Sequence, residues 1–525
     1  MAPSSLMMLM ALLTQGGGSD LLDYVQSKAY WQLQGVEVSA ASMRAQLAPV
    51  EAADVAKLLD ALSGDDATGR QAAAAKIRAL GAGALPALQK AAGAAQGNPD
   101  KAAAIQEAIG DVLKKPKAGA VRRLMAIRTL GELKKREALD TLRGLLKSKA
   151  PFEADYARAA IAAVEGKRYE RPGIAAETVA KDPWMLPADC GIVGQLSLPQ
   201  GGGFDFDKAL KAMAPMPGGH DPQQAMQMVT RVLLEGAERV GNVRLHSLTV
   251  GVAGDVGPHK GFVVVVARGI YDAKAIRHFA AEEGSGETEK IDGVEVLWPD
   301  EQVALILPSN ELLVLVGGPG PDRRARAKAE GIDPAEAPRP VRPIRPAVAA
   351  MAAAIKKNSG SLTPDSDVGK LIKAADTAAP FWAVVKISDA YREGGPIVQP
   401  FDTVTLVGKP TKDRQTLELA LVARGSDADA VAAAVKKLHE GLQEAMQEVS
   451  REAARAPFLK PMGDFLASIK TQQDGGTVTA TAQLKGAASM TLLPMMLLGR
   501  AGGAPPPREM RADPAPAEPG DVNNR

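Results

Sequence analysis

Through the first third of the chain, apolar positions recur every three or four residues. Val55, Leu58, Leu59 and Leu62 fall on one helical face. Ala73, Ile77 and Leu80 continue the pattern and stop at Gly81, a residue suited to the position just past a helix end. Leu85 and Leu88 open a partner helix, with Pro86 in its first turn, where the missing amide costs nothing. Further helices are expected from about Asp100 to Leu113 and from Asp155 to Val164, the second ending at Gly166. Residues 51–166 therefore read as all helix. Tyr24, Tyr30 and Trp31 are expected on a leading helix that packs on the first of these units.

From about residue 184 the period shortens. The runs 191–198, 243–253, 262–269, 303–308 and 312–318 are short and rich in β-branched residues, which predicts strands. Ser309-Asn310 joins the last two as a hairpin. Helices are expected at Gln223–Val240 and Asp272–Glu283.

Two segments repeat. IRALG at 77–81 is followed by ALPAL at 84–88; IRTLG at 127–131 is followed by ALDTL at 138–142. The offsets are 127 − 77 = 50 and 138 − 84 = 54 residues, the period of a two-helix unit. Arg70, Ala73, Ala74, Ile77, Leu80, Gly81, Leu85, Pro86 and Leu88 carry a pattern that resembles the HEAT-repeat family; the second copy departs from it with Asp140 in the place of Pro86. The resemblance implies a short α-solenoid whose surface holds another molecule, and it brings no catalytic residues. It places Ile77, Leu80, Leu85 and Leu88, with Ile127, Leu130, Leu139 and Leu142, in one continuous core.

The second repetition aligns FVVVVARGIYDAKAI (262–276) with LELALVARGSDADAV (417–431), the VARG offset being 422 − 266 = 156. SLTVGV (247–252) matches TVTLVG (403–408) upstream, and 465–471 with 477–484 takes the place of the first copy's last hairpin. Two related, mostly antiparallel α+β halves follow, in two similar sheets. This part is similar to duplicated α+β regions of uncharacterised exported bacterial proteins. Glu418 lies on the opposite strand face from Leu419, which predicts a second sheet wet on one side. Val263 to Val266 predict a first sheet covered on both sides, with 223–240 as the extra cover. The expected layout is a signal peptide at 1–18, a helical domain at 20–166 and a first half at 184–318. A Pro- and Arg-rich linker with helices follows at 319–377, then a second half at 378–499 and a disordered tail at 500–525.

Aromatic residues make up only 4% of the chain, so Ala, Leu, Val, Ile and Met must fill the cores. The 63 basic and 61 acidic residues nearly cancel, which argues against a nucleic-acid partner. Cys190 is the one cysteine, so no internal disulfide forms, and its apolar neighbours make it a core residue. Leu6–Leu13 is long enough for an export-signal core and too short to span a membrane, although no Lys or Arg precedes it. Export to the periplasm or beyond is expected; the alternative is a cytoplasmic protein with a frayed first helix. No stretch reaches transmembrane length. Met490–Leu498, interrupted by Pro494, reads as a closing helix on the sheet or as an adaptable docking face, with peripheral membrane contact as one use.

Catalytic signatures are absent from the sequence. His220, His246, His259, His278 and His439 lack metal-ligand spacing, and neither a nucleophile elbow nor a phosphate-binding loop occurs. The glycines at 201–203 and 317–320 read as turns. Asp205 and Asp207 are two apart, as a strand's paired carboxylates would be; Asp272, Asp427 and Asp429 suit helix starts. Arg268 and Arg424 end equivalent strands and are the tentative anion or partner contacts, against the reading that each simply pairs with a local carboxylate. No cofactor, metal or catalytic residue is assigned. The expected function is a non-catalytic binding or scaffold protein of the bacterial envelope that holds a protein or peptide. A carrier of an apolar ligand or lipid, and an unrecognised hydrolase, are the alternatives. Export has a direct check: N-terminal sequencing of natively produced protein should find residues 1 to about 18 removed, and a retained Met1 in a cytosolic fraction would overturn it.

Overall fold

The computed structural model describes residues 20–48, 52–62, 66–95, 97–150, 152–198, 231, 233–257, 260–283, 286–318, 344–392, 397–411, 416–453 and 460–485. An N-terminal helical region precedes an antiparallel sheet of 12 strands with helices, so the architecture is α followed by α+β.

Of the helices Ala52–Leu62, Ala67–Leu80, Leu85–Ala94 and Pro99–Lys114, the second and fourth start on side-chain caps, and Leu85–Ala94 carries a proline in its first turn. The Asp66 carboxylate accepts from the Thr68 and Gly69 amides, and Asn98 Oδ1 accepts from the Lys101 amide at 3.1 Å. Gly81 takes φ +58°, as a helix-ending glycine can. These helices bury Val55, Leu59, Ile77, Leu88, Ile105 and Val112 in a core of their own.

The second repeat belongs elsewhere. Ala118–Leu133 is buried almost all round, and Gly131 lets it cross Glu153–Val164 closely, since a Cβ there would lie 2.7 Å from the Ala160 Cα. Ile127, Leu130 and Leu142 share a core with Leu245, Ala267, Leu297 and Leu313 of the sheet. The single continuous core expected for both repeats is thus divided in two: Ala118–Leu133 still touches Ala67–Leu80, but its buried residues belong to the core shared with the sheet. Leu80 and Leu85 sit at the margin of the first core. Nor does the leading segment pack on the first repeat. Ser27–Leu33 and Ala40–Leu47 lie against Ala118–Leu133, where Trp31 Nε1 donates to Thr129 Oγ1 at 2.9 Å.

The strands are β1 (Cys190–Ser197), β2 (Arg244–Gly257), β3 (Lys260–Ile270), β4 (Glu287–Ile291), β5 (Val294–Asp300), β6 (Val303–Ile306), β7 (Leu312–Gly317), β8 (Phe381–Lys386), β9 (Thr403–Pro410), β10 (Thr416–Arg424), β11 (Lys470–Asp474) and β12 (Thr477–Lys485). Their order is β11-β12-β10-β9-β8-β1-β2-β3-β7-β6-β5-β4. Reading outward from the β8–β1 seam gives β8-β9-β10-β12-β11 on one side and β1-β2-β3-β7-β6 on the other. The halves therefore share one topology, about a local two-fold axis at the seam, with β4 and β5 as an added hairpin in the first. Two separate sheets were expected; antiparallel pairing of β1 with β8, from Leu196↔Phe381 to Ile192↔Val385, makes them one. Phe465–Ser468, expected in a strand, ends the helix Lys460–Ser468 instead.

The repeated VARG now has a physical reason. A Cβ on Gly269 would lie 2.3 Å from the Arg244 carbonyl oxygen, and one on Gly425 would lie 2.0 Å from that of Pro400. In each half the chain entering the preceding strand passes over this glycine, so no side chain fits.

One sheet face lies under the N-terminal helices and Ala273–Glu283 in the first half, and under Ala428–Ala453 and Lys460–Ser468 in the second. The other face carries Val193, Val264, Val266, Val314, Trp382 and Val384 beneath Asp182–Met185, Arg345–Lys357 and Asp367–Ala374. That second cover stops at β8. Beyond it, Glu418, Ala420, Arg424, Thr481 and Gln483 are exposed. The wet face is where the strand alternation put it, but the described part of the expected cover, 233–240, lies elsewhere, and 223–230 fall outside the described residues. Leu233, Leu234, Ala237 and Val240 pack on the face that is covered in both halves, and Arg345–Lys357 is the added layer.

Because Ile127 is fully buried in the core that the helices share with the sheet, Ile127→Asp should unfold helices and sheet of the full chain in one transition, at a cost of several kcal/mol for the unpaired buried charge. Circular dichroism against temperature would show it, as a lowered midpoint shared by the far-ultraviolet and aromatic signals.

Candidate functional site

The two arginines do not meet. Four strands separate β3 from β10, roughly 24 Å at sheet spacing. Arg268 is already engaged: its Nε and Nη2 donate to Asp182 Oδ1 at 2.9 and 2.7 Å, and the carboxylate is fully buried. Burial pushes Asp182 up from the usual carboxylate range, against the bond and charge of Arg268. Arg424 is exposed on the open face of β10. The two arginines therefore do not form one paired anion site: the positions correspond in topology, and the local carboxylate takes Arg268 while Arg424 faces solvent.

The remaining candidates resolve as structural groups. Asp272 Oδ1 accepts from the Ala275 amide at 3.0 Å, and Asp427 Oδ1 accepts from the Asp429 and Ala430 amides at 3.0 Å, so each caps the helix after its VARG strand. Burial would raise Asp272, yet the Lys117 ammonium at 2.6 Å holds it below its ordinary value. Cys190 is buried, and burial with the Asp189 charge pushes its thiol up to about 12. His278 Nε2 meets Glu282 at 3.0 Å, and His439 contacts Thr471. Among the described residues no group of acidic, histidine or cysteine side chains could hold a metal, and no helix is long and apolar enough to cross a membrane. Leu6–Leu13, Asp205, Asp207, His220, His259, Met490–Leu498 and the 500–525 tail lie outside the described residues.

A buried charge cluster escaped the sequence reading. Arg244 on β2 is 1% exposed; its guanidinium donates to Asp20 and to Asp155, the latter from Glu153–Val164. Arg171 Nη1 lies 3.1 Å from Asp20 and 2.6 Å from Asp23. Asn242 Nδ2 donates to Asp20 at 3.0 Å, and the Tyr169 hydroxyl donates to Asp155 at 2.7 Å. Burial would raise Asp20, but the Arg171 charge and the Arg244 bond hold it low. The carboxylates converge as a catalytic set would, yet each is bound to an arginine, which makes a clasp. Removing one partner from such a pair costs about 3–5 kcal/mol.

Among the described residues, two of the grooves open to solvent stand out. One, of about 400 Å³, runs between Ser27–Leu33 and Ala118–Leu133, lined by Val36, Val38 and Leu133 with Lys28, Glu37 and Glu132. Leu33 beside it is 48% exposed and Val38 36%. The other, of about 640 Å³, lies over β9, β10 and β12, where Lys409, Glu418, Ala420, Lys470 and Thr481 line it and Asp376 pairs with Lys409.

Acid should act in two stages. Burial, then the Arg244 charge, pushes His246 down to about 4, whereas the unfolded chain takes that proton near about 6.5. The unfolded state binds more protons between those values, so stability falls as pH drops from about 6.5 towards 4. Asp20 is depressed, so its contribution is present above about 3.9 and is lost as pH falls through its folded value. Thermal midpoints across pH should show both limbs, and His246→Asn should flatten only the first.

No family model matches the chain, and no curated protein matches it. Among solved structures, crystal forms III and I of TP0453 from Treponema pallidum are similar at 8% identity. Form III covers 59% of this chain and 98% of the other with a TM-score of 0.27; form I covers 60% and 98% with 0.28. A likeness at that level carries no argument about what this chain does.

Proposed function

We propose that this is an exported, non-catalytic binding protein that holds a peptide segment of another protein on its helical surface, beside the HEAT-like second repeat. The groove between Ser27–Leu33 and Ala118–Leu133 carries the reading. Its wall of Val36, Val38 and Leu133 gives an apolar anchor somewhere to leave water. Glu37 and Glu132 on the rim suit a basic residue next to that anchor, and Lys28 suits an acidic one. The envelope location rests on the apolar run Leu6–Leu13.

The hydrolase alternative draws no support from the convergent carboxylates, since their arginine partners and burial keep substrate away. The carrier alternative asks for a deep apolar cavity, whereas both grooves are open and charged at the rim.

Panning a displayed peptide library on the full-length protein should select an apolar residue flanked by Lys or Arg. Val38→Asp, at a surface position, should weaken those peptides about tenfold or more, as loss of a central anchor does. Selected peptides that bind Val38→Asp as tightly as the parent would defeat the reading.

A further inference from the structure

Three arginines lie on the helix Ala118–Leu133, and two of them face carboxylates. Arg123 Nε meets Glu153 at 2.6 Å and Arg128 Nε meets Glu132 at 2.8 Å. Arg122 meets no carboxylate among the described residues. Its Nε donates to Gln46 Oε1 at 2.7 Å and its Nη1 to Gln34 Oε1 at 3.4 Å. The guanidinium lies 5.7 Å from the Trp31 ring centroid, and Trp31 is fully buried with its Nε1 tied to Thr129. Burial lowers Arg122 from its ordinary value, opposed by Tyr30 and by no acidic side chain. Taking a cation out of water is costly unless an opposite charge meets it, and here two neutral amides stand in that place.

The three side chains converge from separate elements: Gln34 from the end of Ser27–Leu33, Gln46 from Ala40–Leu47 and Arg122 from Ala118–Leu133. All three are half-buried, so the cluster reaches solvent. Each glutamine turns its oxygen to Arg122 and its Nε2 elsewhere. Neither Nε2, nor Arg122 Nη2, has a partner among the described residues. The cluster therefore offers donors only, which selects a ligand that accepts and carries negative charge; a carboxylate matches the guanidinium fork. The indole beneath and the two amides already hold that fork, so little freedom is lost on binding. The helical groove is close by. Arg122 and Thr129 are 129 − 122 = 7 residues apart, on one helix face and about 10 Å from each other along the axis. Thr129 lines the groove, as does Gln32, two residues before Gln34. An extended peptide covers that distance in about three residues.

We propose that Arg122, with the side-chain amides of Gln34 and Gln46, binds the carboxylate of an acidic residue in the peptide partner, about three residues from the apolar anchor that the groove receives. The donor set stands on the geometry around Arg122; naming a peptide as the source of the carboxylate rests on the groove reading. An apolar anchor at one point and a carboxylate at another fix the peptide's register along the two helices.

Panning a displayed peptide library on the full-length protein and on Arg122→Gln tests it. Peptides selected on the parent should carry Asp or Glu about three positions from the anchor, and on Arg122→Gln that preference should vanish. A selected peptide and its amide counterpart, with that Asp or Glu changed to Asn or Gln, then complete a double-mutant cycle. Arg122→Gln should weaken the acidic peptide about tenfold and the amide peptide less than about twofold, and Gln46→Ala should weaken the acidic peptide in the same sense. Both substitutions fall at half-buried positions, and each variant should keep the parent's cooperative thermal unfolding. Equal losses on the two peptides, or selection of peptides with no acidic residue at that spacing, would overturn the proposal. A peptide coupled to Arg122 that ignores Val38→Asp would defeat the groove reading and leave the carboxylate site standing. A peptide that depends on Val38 and shows no coupling to Arg122 would defeat this proposal alone.

Discussion

The pairing of β1 with β8 holds the body of this protein together. Five residue pairs, Ile192↔Val385 to Leu196↔Phe381, turn a seven-strand run and a five-strand run into one sheet. Gly194 permits the approach, since a Cβ there would sit 3.3 Å from that of Ala383. Buried Gln195 completes it: its Nε2 donates to the Val179 carbonyl and to Thr249 Oγ1, both at 2.9 Å, and its Oε1 accepts from Trp382 Nε1 at 3.2 Å. A buried amide with donors and acceptor all used fixes the register as well as adding stability. Without the seam, β1 and β8 would each present an unpaired edge.

The charge clasp does for the helical region what the seam does for the halves. Asp20 comes from the start of the described chain, Asp155 from a helix, Arg171 from the connection after it and Arg244 from β2. Each alone would be costly to bury; together they satisfy one another, and they fit only when all four segments are in place. The Leu21 amide donates to the Val243 carbonyl at 2.8 Å, so the first described residues dock on the sheet beside the clasp. The second repeat has consequently joined the sheet's core, while the first keeps a core of its own.

These two constraints decide which surfaces remain. Helices and sheet consume the inward faces of Ala118–Leu133 and of β1 to β8. Among the described residues, the surfaces open to water include a small apolar-walled groove beside Ser27–Leu33 and a Thr-bearing face on β9, β10 and β12. Edge strands β4 and β11, reading ETEKI and KTQQD, are short and charged, which discourages other chains from adding there.

The sequence by itself determined what depends on near neighbours. Helical spacing marked the first helices, Gly81 and Asn98-Pro99 marked their ends, and Asp272 and Asp427 proved to be caps. Alternation at Glu418 and Leu419 foretold a sheet wet on one side. VARG marked equivalent strands, although its glycine answers to packing and its arginine to no shared ligand. Tertiary structure alone decided who meets whom: Arg244 with Asp20, 224 positions apart, Arg268 with Asp182, β1 with β8, and Ile127 with the helix of Trp31 in a core that continues into the sheet. Local spacing fixes which face of an element is apolar, within a turn or two of residues. The partner for that face is chosen by closure of the whole chain, where distant groups must satisfy one another at once, and no short pattern records that.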